Sequence, residues 1–233
     1  MNTSPAKPTR VLIAITSCDK EPYLFRQKLQ QETWIPIAQQ AGYAVEFFTG
    51  KRLGVSDDYL KLPLKLRAMC RWATEQNYDY MLKVDDDTYV NVGGLRIIRA
   101  DYAGVPIPPN DCGDYKNSAP ELKPGTTKYP YCPGGAIWLS ARAMRFIANA
   151  LVETDWADDR WAGQVLGKYN IIICSMADKM ILGPVNHGMF NPATLRPLLK
   201  KEIVAVMQAG AGDRGKDNFV LCQKFFAGAY ILR

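Results

Sequence analysis

Tyr80-Met81-Leu82-Lys83-Val84-Asp85-Asp86-Asp87-Thr88-Tyr89-Val90-Asn91-Val92 is the stretch on which the reading of the fold turns. Tyr80 to Val84 is a short, mainly apolar run that predicts a buried strand. It stops abruptly at three adjacent carboxylates. In open α/β sheets, ligands bind just beyond the carboxyl ends of such strands.

The chain on the N-terminal side supplies the partners of that strand. Arg10 to Thr16 is a β-branched and apolar run, R-V-L-I-A-I-T, and predicts a central strand. Ser17-Cys18-Asp19-Lys20 reads as a loop. Pro22 then opens a helix predicted to reach about Gln40, with Pro36 bending or ending it. Tyr43 to Thr49 is a second strand closed by Gly50, and Leu64 to Gln76 has helical spacing. The order β-α-β-α-β predicts an α/β fold, a mostly parallel sheet with helices flanking it.

On the C-terminal side, Val92 to Ala100 is expected to be a short helix. Val105 to Tyr131, rich in Pro, Gly and Asn, is expected to hold short strands and a long loop. Gly135 to Ser140 predicts a strand, Ala141 to Leu151 and Asp158 to Lys168 predict helices, and Ile171 to Ile173 a short strand. The C-terminal stretch gives the weakest pattern. The expected organisation is a flexible terminus over residues 1–9 and one domain over residues 10–233.

Composition narrows the function class. A chain of 233 residues with 48% apolar residues has enough material for a sizeable core, and its charge of +6 is spread thinly. No run of Lys and Arg exceeds two residues, so no nucleic-acid partner is expected. A mild positive lean suits an anionic ligand or an anionic membrane surface. The first apolar run, Val11 to Ile15, is far too short for a membrane span, so no transmembrane segment is expected. The six cysteines form no C-x-x-C pair, which argues against structural zinc. They are expected to be reduced and mostly buried, with Cys112 and Cys132 able to pair in an oxidising compartment.

Three neighbouring carboxylates repel one another unless a cation or solvent relieves them. Mg²⁺ and Mn²⁺ prefer carboxylate oxygens, keep few protein ligands and take the rest from water and phosphates. In extended backbone, Asp85 and Asp87 would face one side and Asp86 the other. The bland alternative is a solvated acidic turn. The first strand's exit, Thr16 and Ser17, should reach a nucleoside. Gly134 and Gly135 would let backbone approach a ligand closely, or simply form a tight turn.

Taken together, these segments resemble the inverting β-1,3-glycosyltransferases, which include the fringe proteins and the β-1,3-galactosyl- and N-acetylglucosaminyltransferases. Lys83 to Val92, K-V-D-D-D-T-Y-V-N-V, resembles their D-x-D segment. Arg26 to Trp34 resembles an early R…TW helix, and Tyr129 to Ser140, Y-P-Y-C-P-G-G-A-I-W-L-S, a Y-P-P-Y-C-x-G-G segment. Asp158 to Gly163, D-D-R-W-A-G, resembles a D-D-x-x-x-G motif. The four lie in the family's order and span roughly residues 11–190.

The resemblance implies a GT-A fold, a UDP-sugar donor, a glycan or glycoprotein acceptor, Mn²⁺ (or Mg²⁺), and inversion at the anomeric carbon. It implies that Asp85 and Asp86 help hold ribose and diphosphate, and that Asp87 and His187 bind the metal. Asp159 becomes the general base, with Asp158 the runner-up. Arg26, Asp57, Asp58 and Lys65 fall where relatives contact the donor. Trp161 could stack on an acceptor sugar or belong to the core. Arg160 departs from the small apolar residue usual at its place. Relatives in animals carry a membrane anchor, so a bacterial or viral enzyme of the cytoplasm is expected, or else a luminal domain with its anchor removed. A non-catalytic nucleotide-sugar-binding module and a nucleotidyltransferase are the competing readings. The second would show a Gly-rich basic phosphate loop, which Thr16 to Lys20 is not.

Overall fold

A computed structural model describes residues 7–109, 128–152, 157–182, 192–210 and 215–227. Strand β1 (Val11–Thr16) leads to helices α1 (Tyr23–Glu32) and α2 (Ile35–Gln40) and strand β2 (Ala44–Phe48). Helix α3 (Gly50–Leu53), a 3-10 turn (Tyr59–Lys61) and α4 (Leu62–Glu75) lead to β3 (Tyr80–Asp85). Then come β4 (Tyr89–Val90), β5 (Tyr102–Gly104), β6 (Ala136–Ser140), α5 (Ala141–Asn149) and α6 (Asp158–Lys168). The last elements are β7 (Ile173–Ser175), β8 (Met180–Ile181), α7 (Pro192–Leu195), β9 (Ala205–Val206) and α8 (Gly215–Ala227).

The expected α/β architecture is what forms. Six strands lie in the order β2-β1-β3-β6-β5-β7. β1 runs parallel to both β2 and β3, and β5 to β7, whereas β6 is antiparallel to its two neighbours. The register sets Thr16 opposite Asp85, so β1 and β3 end at one level. A small second sheet, β4-β9-β8, stands beside them.

Alternation along the central strands divides the core in two. Ile13, Ile15, Leu82, Val84 and Trp138 pack with Trp34, Tyr89 and Phe219. Leu12, Ala14, Met81, Ile137 and Leu139 pack with Leu66 and Met69 of α4, Met144 and Ile147 of α5, and Leu166 of α6. Both faces of the sheet are therefore covered, which is why its inner strands read as continuous apolar runs.

Two local expectations differ from the structure. The helix expected to run to Gln40 is broken at Thr33–Trp34, and Pro36 sits in the first turn of α2. Its fixed φ and missing N–H suit a helix start, not a bend. Val92 to Ala100 is turn and irregular chain, not helix. There the Asn91 amide binds the carbonyls of Lys201 and Ile203. The backbone at Gly94 lies so close to the Ile203 carbonyl that an added Cβ would come within 2.8 Å. Tertiary contact thus replaces local helix bonds. Cys18, Cys70, Cys132 and Cys222 are buried thiols as expected, whereas Cys174 is exposed, and Cys112 lies outside the described residues.

Candidate active site

The acidic stretch is built by the end of a strand. β3 stops at Asp85, and the Thr88 N–H donates back to the Asp85 carbonyl at 3.1 Å. Asp86 and Asp87 occupy the turn so closed. Strand alternation ends there, although the charge of Asp85 still bears on Asp87. Asp85 binds Lys83, whose ammonium lies 2.7 Å from its Oδ1. Asp86 and Asp87 share Arg26, at 3.3 Å and 4.0 Å.

Helix α1 holds this turn from one side. Gln30 donates to the carbonyls of Asp85 and Thr88 at 3.1 and 3.0 Å. Gln27 donates to the Ser17 hydroxyl and the Cys18 carbonyl, both at 2.9 Å. The Ser17 hydroxyl donates to Asp86 Oδ2 at 2.6 Å. Thr16 is less central; its hydroxyl meets the Met69 sulfur at 3.6 Å. Neither glutamine stands out in the sequence. Their spacing with Arg26 along one helix was the only available signal.

Lys65 is buried and donates to the Ser17 carbonyl at 2.7 Å. It also donates to Asp57 Oδ1, which accepts from the Gly50 N–H as well. Burial pushes the Asp57 carboxyl up, but these donors outweigh it and hold the group below its usual range. Asp58 is exposed and caps the following 3-10 turn by accepting from the Leu60 N–H at 3.0 Å. Asp57 is therefore the aspartate that joins the site, and Asp58 is not.

The second wall comes from the turn before β6 and the start of α6. Asp159 Oδ2 accepts from the Gly134 N–H at 3.0 Å, and Oδ1 from the Arg160 N–H at 2.6 Å. Gly134 and Gly135 do leave room for close approach, but protein atoms fill it. A Cβ on Gly135 would lie 2.8 Å from Met207 Sδ, and one on Gly134 3.1 Å from Lys83 Nζ. Trp161 is packed among the α4–α5–α6 contacts, and its ring N–H points to the Leu151 carbonyl at 3.4 Å. That corrects the sugar-stacking expectation: the ring lies on the core side of α6 because Ala162, Val165 and Leu166 turn the same region of the helix inward. His187 lies outside the described residues.

Electrostatics distinguish the carboxylates. Asp86 is pushed up to about 6 by burial, against the pull of Ser17 and Arg26. Asp87 is pushed up to about 7, by burial first and then by the charge of Asp85. Asp159 is pushed up to about 6 by burial and by the neighbouring Asp158, against its two backbone donors. Asp86 has close partners for both oxygens. Asp87 has, among the described residues, only the guanidinium at 4.0 Å, although its side chain is just 16% exposed. A buried, poorly compensated carboxylate fits a divalent cation. No three His, Cys, Asp or Glu side chains converge on one point among the described residues. A cation at Asp87 would therefore take further ligands from water, phosphate or the chain beyond them.

No protein family and no curated protein matches the chain. A solved structure does. It is a glycosyltransferase involved in the glycosylation of the major capsid of PBCV-1. The likeness covers 91% of this chain and 98% of that one, with a TM-score of 0.51 and 11% sequence identity. At that identity the likeness is one of fold. The mostly parallel, helix-flanked sheet fits a GT-A type of fold.

Proposed function

We propose that the protein is an inverting glycosyltransferase that moves a sugar from a UDP-sugar to a hydroxyl of a glycan or glycoprotein acceptor. The observation that carries this reading is a convergence at the common ends of β1 and β3. Ser17 and Arg26 meet the acidic turn on one side, with Lys65 bound to Ser17 behind them, and the Gly134 turn with Asp159 meets it through Lys83 on the other. The fold likeness and the four motifs in order support the same reading.

Asp87 would hold Mn²⁺ or Mg²⁺, with His187 as a further ligand. A cation there supplies neutralisation of the diphosphate as it leaves. The Arg26 guanidinium, one-fifth exposed, is the cation available to phosphate oxygens. Ser17 and Lys65 shape the nucleoside side. Asp159 takes the proton of the acceptor hydroxyl as that oxygen attacks the anomeric carbon. The bond from that carbon to the diphosphate oxygen breaks, and its electron pair leaves with UDP. Burial lifts the Asp159 carboxyl toward neutrality, which suits a base working near pH 7.

One observation favours a second reading. Both Asp159 oxygens already accept backbone N–H groups, so the residue could serve only to pin the Gly134 turn, in a module that binds without turnover. Each carboxylate oxygen has a second lone-pair site, so pinning and proton transfer are compatible.

The test is transfer and hydrolysis of a panel of UDP-sugars with Mn²⁺, with Mg²⁺ and with chelator. Metal-dependent turnover supports the enzyme; metal-dependent UDP binding without turnover supports the module. His187→Ala should weaken metal-dependent donor binding, and unchanged metal dependence would remove that ligand from the scheme.

A further inference from the structure

Lys83 stands in the middle of β3 and is 1% exposed. It points to the sheet face where Met81 packs against α4, α5 and α6, a place made for an apolar side chain. Its ammonium has three donors and finds three acceptors. These are Asp85 Oδ1 at 2.7 Å, the Gly134 carbonyl at 2.6 Å and Asp158 Oδ2 at 3.1 Å. The three belong to the acidic turn, the turn before β6 and the first turn of α6. Gly134 is held from both ends, since its N–H goes to Asp159 at 3.0 Å.

We propose that Lys83 is a positioning residue that clamps the donor-side carboxylate Asp85 to the Gly134 turn and α6, and so fixes where the Asp159 carboxylate stands. The proposal rests on the transferase reading for its catalytic consequence, but the clamp itself rests on contacts alone. A buried ion network is seldom better for stability than packed apolar residues of the same volume. An ammonium retained here therefore acts through geometry and field. Burial would strip its proton, but Asp158 and Asp85 outweigh that and keep it charged. Among the described residues, the groups near Asp159 include Asp158 on its own helix, Lys83 from β3, Tyr102 from β5, and Cys132 beside the Gly134 turn, with the buried Arg160 next to it in the chain. Burial keeps Tyr102 and Cys132 neutral across the physiological range, so of the four groups besides Arg160, Lys83 and Asp158 act on Asp159 by charge.

The test compares wild type, Lys83→Met and Asp158→Asn in two measurements. One is the pH titration of the Asp159 carboxyl carbon by NMR in Mg²⁺. The other is kcat and KM for the UDP-sugar with Mn²⁺. Removing a nearby positive charge disfavours the carboxylate, so Lys83→Met moves the Asp159 midpoint up; removing a nearby negative charge moves it down in Asp158→Asn. In Lys83→Met, kcat falls about 10- to 100-fold while donor KM changes less than about threefold. A mere structural role would lower the melting temperature and leave the midpoint and the kcat of folded enzyme unmoved, which overturns the proposal. Should Lys83→Met fail to fold, an unmoved midpoint in Asp158→Asn overturns it equally. If wild type turns over no UDP-sugar, the transferase reading fails, whereas opposite midpoint shifts in the two variants still establish that Lys83 and Asp158 act on the Asp159 carboxylate.

Discussion

Asp159 and Asp87 are both buried carboxylates with raised pKa values, yet their surroundings assign them different tasks. Asp159 is held by two backbone donors, one on each oxygen. A base must be ionised, so transfer should rise with pH through about 6 and level off above it, as read from kcat/KM against pH. Asp159→Asn should abolish transfer, with UDP binding by calorimetry nearly unchanged. Wild-type turnover by that variant would sink the base assignment. Asp87 lacks such donors. Its folded value of about 7 lies above the unfolded carboxylate value, so the native state holds its proton more tightly. In metal-free protein its contribution to stability is full below the unfolded value and is lost as pH rises toward 7. Asp87→Asn should therefore stabilise metal-free protein at pH 8 by roughly 1–2 kcal/mol, a few degrees in melting temperature, with no gain at pH 4. The same variant should lose the stabilisation that Mn²⁺ gives wild type. The cluster was legible in the sequence, but its division was not. Alternation assigned Asp87 to the side of Asp85, whose charge does reach it; it carried no sign of the Arg26 guanidinium that Asp87 shares with Asp86.

The motif glycine of α6 shows how one element carries another. Gly163 faces the chain before β6, and a Cβ there would stand 2.5 Å from Tyr131 Cβ and 2.7 Å from the Pro130 carbonyl. Two motifs that are 30 residues apart in sequence are thus one contact in space. Gly163→Ala gains helix propensity of about 1 kcal/mol but forces backbone apart, which costs about 1–3 kcal/mol. Urea unfolding should show a net loss, and activity should fall more than stability because Asp158 and Asp159 move with the helix. A neutral variant would mean that the α6 contact has slack. The borders of α6 were readable because a clear apolar stripe lies between Asp158 and Lys168. The failure at Val92 to Ala100 has the opposite cause: no local signal reports that Asn91 and Gly94 will be bound by residues more than a hundred positions later.

The C-terminal chain completes the molecule around the site. Phe219 of α8 stacks edge-on against Tyr89 at 5.6 Å, and Gly210 donates to the Asp87 carbonyl at 2.7 Å. The acidic turn is therefore backed by the end of the chain. Phe219→Ala should destabilise by about 3–5 kcal/mol and, in protein that remains folded, weaken metal-dependent UDP binding. A donor that binds only the native state with Mn²⁺ should stabilise it with the logarithm of donor concentration, by about 2.7 kcal/mol at a hundred times its dissociation constant, and so raise the melting temperature; chelator should abolish the rise. No helix among the described residues is long and apolar enough to cross a membrane. By itself the sequence determined the layered α/β plan, because periodicity and strand-end polarity are local properties, and it located the acidic turn and the Gly134–Gly135 and Asp158–Asp159 pairs. Only the tertiary structure decided which neighbour each carboxylate answers to. Asp57 rather than Asp58 meets Lys65, Trp161 faces inward, and Lys83 joins three separate segments. Charge pairing depends on contacts a few ångströms long between residues far apart in the chain, and no local pattern records those.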